Sequence, residues 1–155
     1  MITVSTVKSD TLADLAALLR AIAVEESPGD PFAADRAEAG QVAWRAASDF
    51  TRSDSFWILL AHVDGEPAGY ATICRIPKAD ERVGFLFVDE LHVLRALRRQ
   101  GVARALLARI DELARELGLH GIRLLARPGN EPARHLYRQA GFEENPTILY
   151  QKRLA

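Results

Sequence analysis

A helix-period run organises this chain: Val102, Leu106, Ile110, Leu113 and Leu117 recur at spacings of four, four, three and four before Gly118 stops the pattern. An apolar stretch from about Val83 to Val93 precedes it. Another, Gly121-Ile122-Arg123-Leu124-Leu125-Ala126, follows at once. A strand, crossover helix and strand in this order favour parallel pairing with a right-handed connection, so the chain must build an α/β layer with the helix laid on a sheet.

The remaining pattern supplies neighbours for that unit. Ile2-Thr3-Val4-Ser5-Thr6-Val7 alternates at period two, as a strand does. From Asp10, Leu12, Leu15, Ala16, Leu19, Ile22 and Ala23 form an apolar helical stripe that Pro28-Gly29-Asp30-Pro31 interrupts. A less amphipathic helix is predicted from about Asp35 to Phe50, with a shallow face of Ala39, Val42, Ala43 and Ala46. Phe56 to Val63, the turn pair Asp64-Gly65, and Ala68 to Cys74 read as a β-hairpin. Asn130 caps a short helix reaching Ala140, with Pro132 tolerated in its first turn and Gly141 as the stop. Phe142 and Thr147-Ile148-Leu149-Tyr150-Gln151-Lys152 predict a final pair of strands.

With 155 residues, 48% of them apolar, the chain matches one domain with a real core. A formal charge of −1 gives no global field towards nucleic acid, and too few aromatics accompany the arginines to build a nucleic-acid track. One cysteine, Cys74, fits a reducing compartment and is read as a small core residue. Neither a signal-peptide core nor a run of about 18 apolar residues is present, so a soluble cytoplasmic protein without membrane contact is expected. The histidines show no metal spacing with Cys74, and no metal site is inferred.

Chemistry concentrates where the long strand hands over to the long helix, at Glu90-Leu91-His92-Val93-Leu94-Arg95-Ala96-Leu97-Arg98-Arg99-Gln100-Gly101-Val102-Ala103. Gly101 lacks a Cβ, Ala103 keeps the next turn low, and the amides from about Arg99 to Ala103 would face a ligand where the helix dipole favours an anion. Arg98 and Arg99, ahead of Arg104, would add charge. A pyrophosphate is the expected guest. The run is neither a P-loop nor a Gly-x-Gly-x-x-Gly fingerprint. A solvent-facing loop with surface arginines is the alternative reading.

Arg98-Arg99-Gln100-Gly101-Val102-Ala103 resembles the Arg/Gln-x-x-Gly-x-Gly/Ala signature of the GNAT N-acetyltransferase family. Asn130-Glu131-Pro132-Ala133-Arg134-His135-Leu136-Tyr137-Arg138-Gln139-Ala140-Gly141-Phe142 is similar to that family's second cofactor segment. The resemblance implies a single α/β domain over residues 1–155, with a central mixed, splayed β-sheet of about six or seven strands flanked by about four helices. It implies acetyl-CoA as cosubstrate, its pyrophosphate over residues 99–103 and its pantetheine arm beside Leu91 and Val93, whose backbone would bond the arm and polarise the thioester carbonyl. The residues implied to hold it are Arg98, Arg99, Gln100, Gly101, Val102 and Ala103, with Asn130 on the arm and Arg134 near the nucleotide. Tyr137 falls at the family's general-acid position; the alternative is a ring that packs in the core and only anchors CoA.

Amine acetylation needs a neutral amine, a held thioester carbonyl and a proton for the leaving thiolate. Glu90, with Val88 and His92 on one strand face and Asp89, Leu91 and Val93 on the other, is a candidate base or amine anchor, or a structural carboxylate. His92 is a candidate proton relay, since free imidazole titrates near pH 6.5, or a local hydrogen-bonding group. Glu25, Glu26, Asp30 and Asp35, with Glu143 and Glu144, would make a cation-attracting mouth if they converged, or else an ordinary solvated acidic rim, and Phe32, Trp44 and Trp57 are candidates to line an apolar part of the acceptor pocket or to pack in the core. The leading function is transfer of an acetyl group to a primary amine, on a small molecule or a peptide, by direct attack in a ternary complex. A non-catalytic acyl-CoA-binding regulatory module and an acyltransferase with another acyl group or acceptor are the alternatives. A homodimer through the terminal strands and a monomer with a protected edge both fit the sequence.

Overall fold

The hairpin forms as its turn pair dictates. Asp64 and Gly65 both take positive φ, 51° and 91°, the combination a type I′ connection requires. They join β2 (Phe56–Val63) to β3 (Glu66–Pro77). The computed structural model describes residues 1–47 and 49–154, with the side chains of 42–47 outside that description. The expected roles of Val42, Ala43, Trp44 and Ala46 therefore lie outside the described residues. Two units divide the chain, Met1–Leu125 and Ala126–Ala155.

In the first unit, β1 (Ile2–Thr6), β2, β3 and β4 (Gly84–Val93) form an antiparallel run, and β5 (Gly121–Leu124) adds in parallel to β4. The sheet has five strands in the order β1-β2-β3-β4-β5. The helix α3 (Val102–Glu116) connects β4 to β5, the crossover that the hydrophobic periodicity predicts. Its buried stripe of Val102, Leu106, Ile110 and Leu113 packs across β1 to β4.

The opposite face carries α1 (Leu12–Glu26), which in turn packs against α2 (Ala33–Ala47). Leu15, Leu18 and Ile22 of α1 join Val7, Phe50, Ile58, Leu60 and Tyr70 in one buried cluster. Pairing Ile58 with Thr72 and Leu60 with Tyr70 puts these side chains on the α1 face, and Trp57, one residue from Ile58, on the α3 face. Trp57 thus faces α3, and Phe32 is exposed. Among the described residues no helix is long and apolar enough to cross a membrane, and no His/Cys/Asp/Glu group could hold a metal ion.

The second unit contains α4 (Glu131–Gln139), with Asn130 as its cap. Residues 142–154 form no strand, in contrast to the expected final pair. Ile148, Leu149, Tyr150 and Leu154 are exposed there. Local alternation supplies the faces of a strand but not its hydrogen-bonding neighbour, and Pro146 removes one donor from the ladder.

Close approach of α3 to the sheet depends on Gly69 of β3. A Cβ there would lie 2.6 Å from the His92 carbonyl oxygen and 3.3 Å from Val102 Cγ1. The nearest obstacle is backbone, which cannot rotate aside. Gly69→Ala should therefore destabilise the fold by about 1–3 kcal/mol in chemical denaturation; an unchanged midpoint would show that the helix does not rest on this strand as described.

Candidate functional site

One extra residue in β4 shapes the site. Ile73 pairs with Val88 but the next β3 residue, Thr72, pairs with Glu90, so Asp89 is inserted as a β-bulge. Directly opposed residues share a face. Val88 therefore points with Ile73 to the α3 side, whereas Glu90 and His92 point with Thr72 and Tyr70 to the α1 side. This corrects the simple alternation, which grouped Val88 with Glu90: the insertion reverses the phase between them.

Beyond the bulge β4 has only one neighbour. Pairing with β5 ends at Val88↔Leu124, so Glu90 to Val93 keep β3 on one edge and, among the described residues, no strand on the other. The Leu94 N–H donates to the Ala68 carbonyl at 3.0 Å. Antiparallel ladders alternate bonded and non-bonded pairs, so the N–H and C=O groups of Leu91 and Val93 face the open edge. Arg98 confirms the direction: its Nε donates to the Val93 carbonyl at 3.0 Å. That arginine is tied to the strand end rather than held for an anion alone.

The strand leads through a 3-10 turn, Arg95–Leu97, into α3. Arg99 and Gly101 both adopt left-handed backbone, φ 65° and 93°. Arg99 takes this conformation without glycine's freedom, a strained geometry that concentrates at ligand loops. At Gly101 the backbone angle demands glycine; an added Cβ would meet only Ile2 Cδ1 at an ordinary 3.7 Å. No side chain caps α3, so its leading amides, from Val102 and Ala103 onward, present donors and the positive end of the helix dipole. Gln100 donates to the Ala96 carbonyl at 3.1 Å and stiffens the turn.

On the α1 face a cleft of about 230 Å³ is lined by Leu15, Leu19, Ala37, Gly40, Gln41, Ile58, Tyr70, Thr72 and Glu90. The Thr72 hydroxyl donates to Glu90 Oε2 at 3.1 Å, and the Tyr70 hydroxyl also bonds Glu90. Burial pushes the Tyr70 pKa well above that of a free phenol, and the charges of Glu90 and Glu26 push it further. Glu90 has no cationic partner within ion-pair distance among the described residues. His92 stacks on Tyr70 with ring centroids 6.4 Å apart, and its Nδ1 lies 3.5 Å from Glu26 Oε1. Its Nε2 is buried without a hydrogen-bond partner among the described residues, a polar atom with bonding capacity to spare.

Within each unit the acidic residues are engaged separately. Glu25 accepts the Arg95 backbone N–H at 3.2 Å through both oxygens, which pins the end of α1 to the loop after β4. Asp30 is paired with Arg36, and Glu144 with Arg134 and Arg138. Glu26 stands at His92, and Glu90 at Tyr70. Burial raises the Cys74 pKa, which keeps the thiol protonated and argues against a nucleophile.

In the second unit Asn130 Oδ1 accepts the Ala133 N–H at 3.3 Å, the expected cap. Arg134 donates to both oxygens of Glu144 at 2.9 Å and to the Pro128 carbonyl at 2.9 Å, a local clamp invisible in the sequence pattern. Tyr137 packs edge-on against Phe142, centroids 6.0 Å apart, and its burial raises the hydroxyl pKa. It is held protonated across the neutral range, the state a proton donor needs.

A mixed sheet with a bulged, half-open central strand and an uncapped helix after it defines the class of fold. The acetyltransferase (GNAT) family model matches residues 16–142, and the chain belongs to that family. An aminoglycoside acetyltransferase from an uncultured soil metagenomic sample superposes with a TM-score of 0.78 at 24% identity, covering 100% of this chain and 99% of that one. AAC(6')-Iy, solved with the bisubstrate analogue CoA-S-monomethyl-acetylneamine, gives 0.74 at 22% identity, covering 99% of each chain. The uncharacterized N-acetyltransferase YycN of Bacillus subtilis (strain 168) is 32% identical over 66 residues, 43% of this chain. The match spans 42% of that relative's length.

Because Tyr70 has a raised pKa in the folded state, its contribution to stability is complete below the free-phenol value of about 10 and is lost as pH rises through the folded value. Tyr70→Phe should flatten the loss of stability above about pH 10 in alkaline denaturation. A mutant and parent with parallel alkaline curves would contradict the burial of this hydroxyl against Glu90.

Proposed function

We propose that this protein is an acetyl-CoA-dependent N-acetyltransferase that transfers the acetyl group to a primary amine by direct attack in a ternary complex. The observation that carries this reading is the end of β4. There the outward backbone of Leu91 and Val93 has no strand beside it among the described residues, and only the Val93 carbonyl is taken, by Arg98, while the neighbouring Glu90 carboxylate enters the cleft on the α1 side. One side of the strand can hold an acyl carrier and the other an amine. The aminoglycoside acetyltransferases that share the fold support a small-molecule amine as acceptor.

The residues fit the carrier. Amides of Arg99 to Ala103 would receive the diphosphate, with Arg99 adding charge and Arg98 bracing the loop on Val93. Leu91 N–H would bond the pantetheine arm in the manner of an added strand, and the donors at this edge would polarise the thioester carbonyl. Asn130 uses its side-chain oxygen for the cap, which leaves the amide hydrogens for the arm. Bound acetyl-CoA supplies the activated acyl group and a thiolate leaving group.

Glu90 anchors the amine as an ammonium and then takes its proton, directly or through water. Tyr70 and Thr72 hold the carboxylate with neutral hydroxyls and leave its charge unspent. His92, bridging Tyr70 and Glu26, relays the proton outward. Tyr137 donates to the departing thiolate and regains a proton as the new amide nitrogen sheds its second one. Arg134, clamped by Glu144, shapes its own unit.

Release of CoA thiol from acetyl-CoA across a panel of amines, with product masses recorded, tests this reading. Tyr137→Phe should lower kcat by about 100-fold or more while the KM for acetyl-CoA moves little. Glu90→Gln should lower kcat/KM for the acceptor by a similar factor of about 100. Unchanged turnover in Tyr137→Phe would remove the tyrosine from the acid role, and unchanged acceptor kinetics in Glu90→Gln would make that carboxylate structural.

A further inference from the structure

The cleft beside Glu90 has two unlike ends. Leu15 and Leu19 of α1 and Ile58 of β2 form an apolar wall, and facing them Ala37 and Gly40 of α2 contribute almost no side chain. A Cβ built on Gly40 meets nothing within 4 Å, so space opens directly from that backbone. At the far end stand Glu90 and its two hydroxyl donors. Gln41, the remaining polar lining group, donates to the Ala16 carbonyl at 3.4 Å.

Charge and polarity restrict what enters. Of the lining residues only Glu90 is ionisable to an anion at neutral pH, so the cleft offers one seat for an ammonium. Glu26 is engaged by His92, and Glu25 by the Arg95 backbone. A second ammonium or a ring of hydroxyls on the guest would lie against Leu15, Leu19 and Ile58 without partners, which disfavours binding.

We propose that the acceptor is a monoamine on a short apolar body, an alkylamine or arylalkylamine, whose ammonium meets Glu90 and whose hydrocarbon lies between Leu19, Ile58 and the α2 backbone at Gly40. Polyamines and amino sugars are excluded as preferred acceptors. The assignment rests on the transferase reading for its chemistry but on the cleft for its selectivity, and binding can be measured without turnover.

The test is equilibrium binding to the full chain of propylamine, butylamine, hexylamine, 2-phenylethylamine, spermidine and neamine by calorimetry at about 0.15 M salt, the screening regime in which exposed charges count least. Affinity should rise about fourfold per added methylene from propylamine to hexylamine, the value of one buried CH₂. Spermidine and neamine should bind more weakly than hexylamine. Gly40→Leu fills the open space and improves helix propensity, so it should leave the melting temperature no lower and weaken hexylamine at least tenfold, with propylamine affected less. A flat chain-length series, tighter binding of spermidine or neamine, or no binding of any monoamine would overturn the assignment.

Thiol release measured in parallel separates the two readings. Hexylamine that binds as expected but is never acetylated sinks the transferase reading and leaves the cleft assignment standing. Acetylation of neamine or spermidine in preference to hexylamine does the reverse.

Discussion

A single inserted residue in β4, Asp89, is the constraint on which the site depends. The bulge reverses which face the following side chains occupy, turning Glu90 and His92 towards α1 while Leu86 and Val88 stay packed towards α3. It also coincides with the end of pairing to β5, since the parallel ladder stops at Val88. The same kink that sends a carboxylate into the cleft thus frees the backbone edge on the other side. Gly69, opposite Val93, then lets α3 begin close under that edge, so the uncapped helix start and the open strand belong to one continuous surface.

Electrostatics at the strand end follow from what each carboxylate is bonded to. Neutral hydroxyls hold Glu90 in place without neutralising it, whereas Asp30 and Glu144 are spent on arginines. Hydrogen bonds from neutral donors orient a charge and leave it available for an incoming cation; an ion pair makes that cation compete. His92 stacks on Tyr70 and has Glu26 at its imidazole, which places a second carboxylate near the Tyr70–Glu90 pair.

Much of the architecture was legible because it is written locally. The four-and-three spacing of Val102 to Leu117 specifies a helix on a sheet, and Asp64-Gly65 specifies the hairpin turn. The glycine at 101 marks the turn into α3, and its backbone angle rather than crowding requires it. What could not be read depends on partners distant in sequence. The bulge appears only when Thr72 and Ile73 are set against β4. The engagement of Arg98 by Val93 and of Arg134 by Glu144 is a matter of where flexible guanidinium groups settle. The segment around Ile148 has strand-like alternation but gains no ladder, since alternation alone does not supply a neighbour.

The central claim is that the open edge of β4 beyond Val88 receives the acyl carrier. Amide hydrogen exchange at Leu91 and Val93, followed by NMR with and without saturating CoA, tests it most directly. Selective slowing at Leu91, at Val93 and at the first amides of α3, with residues on the β3 edge unchanged, is the predicted result. CoA binding that leaves Leu91 and Val93 exchanging as before would show that the carrier sits elsewhere, and the account of this strand would fail.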